Sequence, residues 1–296
     1  MNANRYLIAL LLSLISMQAL AGDSVAGDAS VAQDERDRLT RATMGGSLAA
    51  VVLYGYGLTD WWKQGFTGQL RVADEGWFGR DTYAGGADKL GHVYGAYAST
   101  RLLAGAYRGY GHDPGAALRL AATTSFGALL LVEFLDGYSR EYSFSKEDVV
   151  MNGVGVGMAM LFENSAELDR LLDFRLQYWP SATLRRNHAF KPSTDYSGQT
   201  YLLVAKASAI PALQFYRPLR YLEFAVGYGT RGYRPDEGPD AIRSRNLYYG
   251  ISLNLSEILN DTVFRKSEYP RVRSATATVL EYIQVPGTAA LGNRAF

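Results

Sequence analysis

The chain has no cysteine and only three histidines among its 296 residues. For these residues, disulfides, thiol nucleophiles, thiolate metal sites and a lipid-modified cysteine are excluded. A zinc site would have to rest on His92 with carboxylates, because His112 lies in a Gly/Asp/Pro turn and His188 sits among Arg185, Arg186 and Asn187. No metal and no cofactor is expected. An excess of charge is also lacking, with 30 Lys and Arg against 29 Asp and Glu. Removing residues 1–21 takes away Arg5 and no acid, which brings the two signs into balance. No basic field is available, so nucleic acid is not an expected partner. Nor does the sequence contain a serine-nucleophile elbow, a P-loop, a dinucleotide fingerprint or a zinc motif. Its uncharged helical runs are about 13 to 15 residues, short of the roughly 20 a spanning helix needs. A buried periplasmic bundle is the expectation, with an inner-membrane bundle as the alternative.

Among the features present, the N-terminus is the plainest. Arg5 precedes the apolar run Tyr6 to Ile15, and Ala19-Leu20-Ala21 supplies the small residues a signal peptidase reads. Residues 1–21 therefore read as a secretory signal peptide cut before Gly22. Export without cysteine fits a bacterial envelope, in the periplasm or at the outer membrane. The 21 tyrosines and 31 glycines point toward membrane-interface strands.

Four regions follow: the signal peptide at 1–21, a flexible mature N-terminus at 22–35, a helical bundle at 36–180 and a Tyr/Gly-rich antiparallel β region at 181–296. Helices are expected at about 38–63, 87–107, 114–135 and 146–162, with an amphipathic fifth at 165–178. Residues 64–86 form a long loop carrying Trp77 and Phe78. After Pro180 the periodicity changes from 3.6 to 2. Leu222, Phe224, Val226 and Tyr228 share one strand face, and Glu223, Ala225, Gly227, Gly229 and Arg231 the other. In 246–256, Leu247, Tyr249, Ile251, Leu253 and Leu255 alternate with Asn246, Tyr248, Gly250, Ser252 and Asn254. Strands are also expected at 199–210 and 275–285. The last ten residues do not alternate and are left unassigned. Four such strands fall short of the about eight that close a barrel. The expected fold is α+β, with about four to five helices packed against an antiparallel sheet of about four strands.

Ionisable residues punctuate the apolar helices: Asp88, Lys89 and His92; Glu133, Asp136 and Arg140; Ser145, Asp148 and Asn152. Each group falls on one side of its helix. Buried charges are costly unless paired, so these positions serve either as a brace or as a site. Asp88, one turn before His92, is placed to orient an imidazole or to form half of a metal site, or simply to answer the helix dipole. Glu133 and Asp136 oppose the dipole at a helix end and need a partner, for which Arg140 comes first and Lys89 second. Ser145 and Asp148 read as a capping box, with Asn152 a polar packing contact. The candidate catalytic residues are His92, Asp88, Glu133, Asp136 and Asp148. The structural polar network comprises Lys89, Arg140, Ser145 and Asn152.

Several separated motifs resemble the YfiM-like family: Glu75-Gly-Trp-Phe-Gly79, Ala84-Gly-Gly-Ala-Asp88-Lys89-Leu-Gly-His92, Glu133-x-x-Asp136-Gly137-Tyr138, Phe144-Ser145-x-Glu147-Asp148 and Asn152. Asp173-Phe-Arg-x-x-Tyr178-Trp179-Pro180-Ser181 and Asp195-Tyr-Ser-Gly-Gln199 are similar to its longer members. The resemblance covers most of residues 60–260 and implies a periplasmic or outer-membrane protein with no established reaction. The lipid anchor of some members does not carry over to a chain without cysteine. More distantly, Asp88, Lys89, His92, Glu133, Arg140, Asp148 and Asn152-Gly153 resemble the polar pattern of VanZ-like membrane proteins, which implies a membrane or an envelope lipid as partner. The expectation is a non-enzymatic envelope protein that binds or maintains the envelope at the periplasmic face of the outer membrane, with no protein partner assignable. The alternative is a hydrolase acting on an envelope lipid or glycan through His92, Glu133 and Asp148.

Overall fold

A computed structural model describes residues 29–58, 61–213, 215–238, 240–265 and 269–296. The expected signal peptide and residues 22–28 of the expected tail lie outside the described residues. The chain forms two compact units, one from Met1–Glu75 with Gly95–Glu163 and the other from Gly76–Tyr94 with Asn164–Phe296. Helices dominate the first, and a five-stranded antiparallel sheet dominates the second. The fold is α+β.

In the first unit, helix α1 spans Ala29–Val52 and runs into a π-helical stretch, Leu53–Leu58. It begins inside the segment read as a flexible tail, and its α-helical part stops well short of Lys63. A two-residue strand β1, Val72–Ala73, pairs in parallel with β2, Phe144–Ser145. Helix α2, Ala87–Gly109, begins in the second unit and continues into the first from Gly95. Helix α3 is Pro114–Tyr138, and α4 is Lys146–Glu163. The start of α3 follows from two residues. Asp113 accepts a hydrogen bond from the Ala116 N–H at 2.9 Å, and Pro114 occupies a first-turn position where no N–H is needed.

The core of this unit sets Leu103, Ala104 and Tyr107 of α2 against Ala117, Leu118 and Ala121 of α3, with Met44 and Met160 at its margin. Alanine on both helices permits close approach. Hydroxyl pairs tie the same interface, Ser99 to Ser125 at 2.6 Å and Tyr107 to Thr124 at 2.9 Å. Arg101 interrupts the apolar face of α2, yet its buried guanidinium reaches Glu163 at 3.0 Å and the Tyr97 hydroxyl at 2.7 Å. By length and composition, α3 is long and apolar enough to cross a membrane, a test the core helix of a globular bundle also passes.

In the second unit, helix α5, Ala166–Leu171, leads directly into β3, Leu172–Tyr178. The expected amphipathic helix at 165–178 is thus corrected to one and a half turns followed by a strand. Helix α6, Ala182–Arg186, precedes β4, Gln199–Lys206; β5, Leu222–Arg231; and β6, Ser244–Leu253. Asn254 caps helix α7, Leu255–Asp261, accepting from the Glu257 N–H at 3.1 Å, so Leu255 belongs to a helix and not to the strand face. Helix α8, Pro270–Tyr282, occupies most of the segment expected as a fourth strand at 275–285. The unassigned C-terminus instead supplies the fifth strand, β7, Ala289–Ala295. Within this sheet every strand pairs antiparallel with its neighbour in the chain, in the order β3-β4-β5-β6-β7.

The two sheet faces are those the alternation predicts, with the polar face buried and the apolar face of β5 and β6 outward. Glu223 is fully buried, while Phe224 and Val226 beside it are 48% and 57% exposed. The buried face holds an ionic network. Arg175 of β3 donates to both Glu223 carboxylate oxygens, at 2.7 and 2.8 Å, and to Asp173 at 2.5 Å. Lys206 reaches Asp173 at 2.7 Å, and the Ser252 hydroxyl donates to Glu223 at 2.9 Å. Paired in this way the charges are tolerated, whereas losing one member would strand the others at about 3–5 kcal/mol. A second layer of that face is apolar, with Leu202, Val204 and Ala225 against Tyr248 and Leu291. Gly250 belongs there by necessity, since a Cβ would overlap the Ala290 carbonyl of β7.

Candidate functional site

The polar residues of the sequence divide between the two units. Asp88, Lys89 and His92 stand on the first two turns of α2, in the second unit; Glu133, Asp136, Arg140, Ser145, Asp148 and Asn152 stand in the first.

Asp88 and Lys89 are set by an unusual entry into α2. Ala84, Gly85 and Gly86 all take positive φ, at 51°, 61° and 89°. That backbone suits glycine, and side chains at 85 and 86 would also strike Tyr233 and Phe78. Two tyrosines from the sheet half hold the turn: Tyr228 donates to the Gly85 carbonyl and Tyr233 to the Arg80 carbonyl. The turn starts the helix so that Asp88 and Lys89 are buried, with Lys89 wholly so. Lys89 Nζ lies 3.2 Å from Asp88 Oδ2 and 6.0 Å from the Tyr83 ring centroid. The Tyr196 hydroxyl donates to Asp88 Oδ1 at 2.7 Å, and the Tyr196 ring packs edge-on to Tyr83.

Burial alone would raise the Asp88 carboxyl. The charges of His92 and Lys89 and the Tyr196 hydroxyl outweigh it and hold the group below its ordinary value of 3.8. Burial and the Asp88 charge push the Tyr196 hydroxyl well above its ordinary value, so it stays a donor. His92 Nε2 stands 4.0 Å from Asp88 Oδ1, an electrostatic neighbour beyond hydrogen-bond reach. The expected direct orientation of His92 by Asp88 is therefore not made. Tyr196 and Lys89 occupy the carboxylate instead. The His92 side chain is 18% exposed and that of Asp88 11%.

In the first unit, Ser145 is the hub. Its hydroxyl accepts from the Asp148 N–H at 3.2 Å, the N-cap half of the expected capping box, and donates to Glu147 Oε2 at 3.3 Å. The Ser145 N–H donates to Glu133 Oε2 at 3.4 Å. Glu133 opposes the dipole of α3 but sits at the N-terminal end of α4, where the dipole favours an anion. This answers the question its position raised. Asp136 takes a different partner, the Trp62 indole N–H at 2.5 Å. Arg140, expected to pair with Glu133 or Asp136, is exposed, and its backbone N–H donates to the Gly65 carbonyl. The reason is that Ser139 pairs back to Phe66 just after α3 ends, which turns the following side chain outward. Asn152 is buried on α4 one turn after Asp148.

Sequence reasoning missed Tyr83, Tyr196 and Trp62 as partners, and the whole Arg175 network. A signal existed for some of them, because Asp173, Arg175 and Tyr196 lie inside motifs quoted for the family resemblance. Asp195 in the same motif is buried and accepts from the Tyr178 hydroxyl at 2.9 Å and the Ser181 N–H at 2.8 Å. The two C-terminal motifs thus clasp each other, a structural use of polar residues.

Residues 74–164 match the family described as "Predicted periplasmic lipoprotein (DUF2279)". The chain resembles a periplasmic family over this stretch. The match covers under half of the chain but includes every polar residue singled out in the sequence, from Asp88 to Asn152. It agrees with an exported protein of the cell envelope and brings no reaction with it. The lipoprotein half of the description has no counterpart here, since none of the 296 residues is a cysteine. Comparison with curated proteins and with solved structures gives no match.

Proposed function

We propose that this chain is a non-enzymatic protein of the bacterial envelope, exported through residues 1–21, that works at the periplasmic face of the outer membrane in envelope binding or maintenance. The observation that carries the reading is the state of the Asp88 group. Its ammonium is fully buried, its carboxylate is occupied by Lys89 and Tyr196, and the group joins the start of α2 to the sheet half of the molecule. Such a group fixes a fold, whereas a catalytic base must reach its substrate within hydrogen-bond distance. The DUF2279 match over residues 74–164 supports export to the periplasm. The test is fractionation of the producing cells, joined to rescue of a deletion strain. The expected outcome is recovery of the processed chain with the envelope, and equal restoration of the envelope lipid profile by wild type and by His92→Ala. Recovery in the cytoplasm would overturn the location. Loss of rescue by a folded His92→Ala would overturn the non-enzymatic role and favour the hydrolase alternative.

A further inference from the structure

On the outer face of the sheet the start of α2 covers Phe174 of β3 and Tyr201 of β4 through Tyr94, and the part built by β5 and β6 stays open. Phe224 and Val226 of β5 and Leu247, Tyr249, Ile251 and Leu253 of β6 are between 41% and 59% exposed. The register places Phe224 opposite Ile251, Val226 opposite Tyr249, and Leu222 opposite Leu253, so these side chains form one contiguous patch. A groove of about 470 Å³ opens on it, lined by Phe174, Leu203, Val226, Leu247 and Tyr249 among others. Soluble proteins bury such a face, and patches of this kind mark interaction sites. Here the chain buries Glu223, Arg175 and Ser252 on the opposite side instead.

Resting on the envelope reading above, we infer that this face seats on the acyl chains of a lipid bilayer. Three features select lipid. First, the polarity is inverted, with apolar groups outward and an ionic network inward, which is the arrangement of a sheet whose surroundings are hydrocarbon. Second, the patch is framed at both strand ends by tyrosine or phenylalanine with arginine, the residues that settle at headgroup level. At one end Arg245 lies over the Phe296 ring, which packs on Tyr228; at the other Arg220 lies over Tyr221 and is itself ion-paired to Glu257 and Asp261. Third, no charged side chain interrupts the patch on β5 or β6 between those ends; Arg294 lies at its border on β7. The depth is limited. Among the described residues β7 pairs with β6 alone, so its other edge carries unpaired backbone groups. Hydrocarbon does not tolerate such an edge, so the sheet lies on the membrane, sunk about 5–10 Å, and does not span it.

The absence of native cysteine makes the test clean. Single variants Val226→Cys, Ile251→Cys and, as a solvent control, Asn187→Cys are made in the full chain and carry a nitroxide. Collision with oxygen and with a water-soluble nickel chelate is measured with and without vesicles of phosphatidylcholine and phosphatidylglycerol. Adding vesicles is expected to cut nickel access at 226 and 251 about fivefold and raise oxygen access there, as the hydrocarbon boundary requires, and to leave 187 unchanged. In the Val226→Lys/Ile251→Lys variant, whose changes are at exposed positions, vesicle flotation is expected to fall about tenfold, the order of penalty lysine carries on a lipid-facing strand. Labels that stay open to nickel with vesicles overturn the inference. So do labels already shielded without vesicles, whether by a second copy, seen as concentration dependence, or by residues 1–28. Envelope recovery of the chain with water-exposed labels would remove the lipid contact and leave the envelope location standing.

Discussion

Lysine and aspartate side by side at the start of α2 show how single residues are used in this molecule. Asp88 has a folded-state carboxyl held below its ordinary 3.8, so it contributes stability at pH values above that number. The contribution is lost as pH falls from the ordinary value through the depressed one, because the unfolded chain takes up the proton first. Asp88→Asn removes this dependence. Unfolding by denaturant, followed from neutral pH down to about pH 3, is expected to show a shallower acid-side fall for the variant than for wild type, together with lower stability at neutral pH because Lys89 is left buried without its carboxylate. Equal acid slopes would assign the acid sensitivity to other carboxylates. The partners of these residues were only half visible in the sequence. Helical spacing placed Asp88 with Lys89 and His92, and Ser145 with Asp148. It gave no view of Tyr196, which is 108 residues away from Asp88, or of Trp62, which is 74 from Asp136. Contacts across such separations depend on the topology, to which local periodicity is blind.

At the level of elements, what could be read depended on whether local signals had competitors. Helix α3 declares itself through Pro114, and the structure adds the Asp113 cap. Asp113→Ala is expected to lower the midpoint of denaturant unfolding, because the Ala116 N–H loses its acceptor. An unchanged midpoint would mean that water replaces the cap at no cost. Strands β5 and β6 were legible because ten-residue alternation has no helical equivalent. Residues 165–178 misled because Leu171, Leu172, Phe174 and Leu176 satisfy both periods, and the change from helix to strand occurs inside the run. In α8, Val272, Ala275, Val279 and Tyr282 mark a helical stripe, but threonine and valine raise β propensity and the strand reading prevailed. Strand β7, with the sequence Ala-Ala-Leu-Gly-Asn-Arg-Ala, carries no pattern at all. Its place is fixed by register against β6, where Gly250 leaves room for the Ala290 carbonyl.

The molecule as a whole combines near-zero net charge with an apolar sheet face, and the combination has a measurable consequence. Its formal charge is +1. Attraction to anionic lipids grows with the basic residues near the surface and is screened by salt, whereas apolar contact is not. Flotation with the same vesicles is therefore expected to change less than about twofold when ionic strength rises about tenfold. A steep fall would show that arginines such as Arg220 and Arg294, and not the apolar patch, hold the chain to lipid. The fold class was readable at this scale, since the shift from 3.6 to 2 in periodicity announces helices before strands. Which face of the sheet meets water was not readable, because alternation says only which residues share a face.

The strand order carries one more consequence. In the run from β3 to β7 each strand lies beside the one made just before it, with no strand inserted between two earlier ones. A chain threaded across a membrane in extended form emerges one end first. This sheet can then grow by one edge at a time, each arriving segment finding its template already in place. Assembly need not wait for a distant segment except at the last step, when Ala289–Ala295 closes on β6 after two intervening helices.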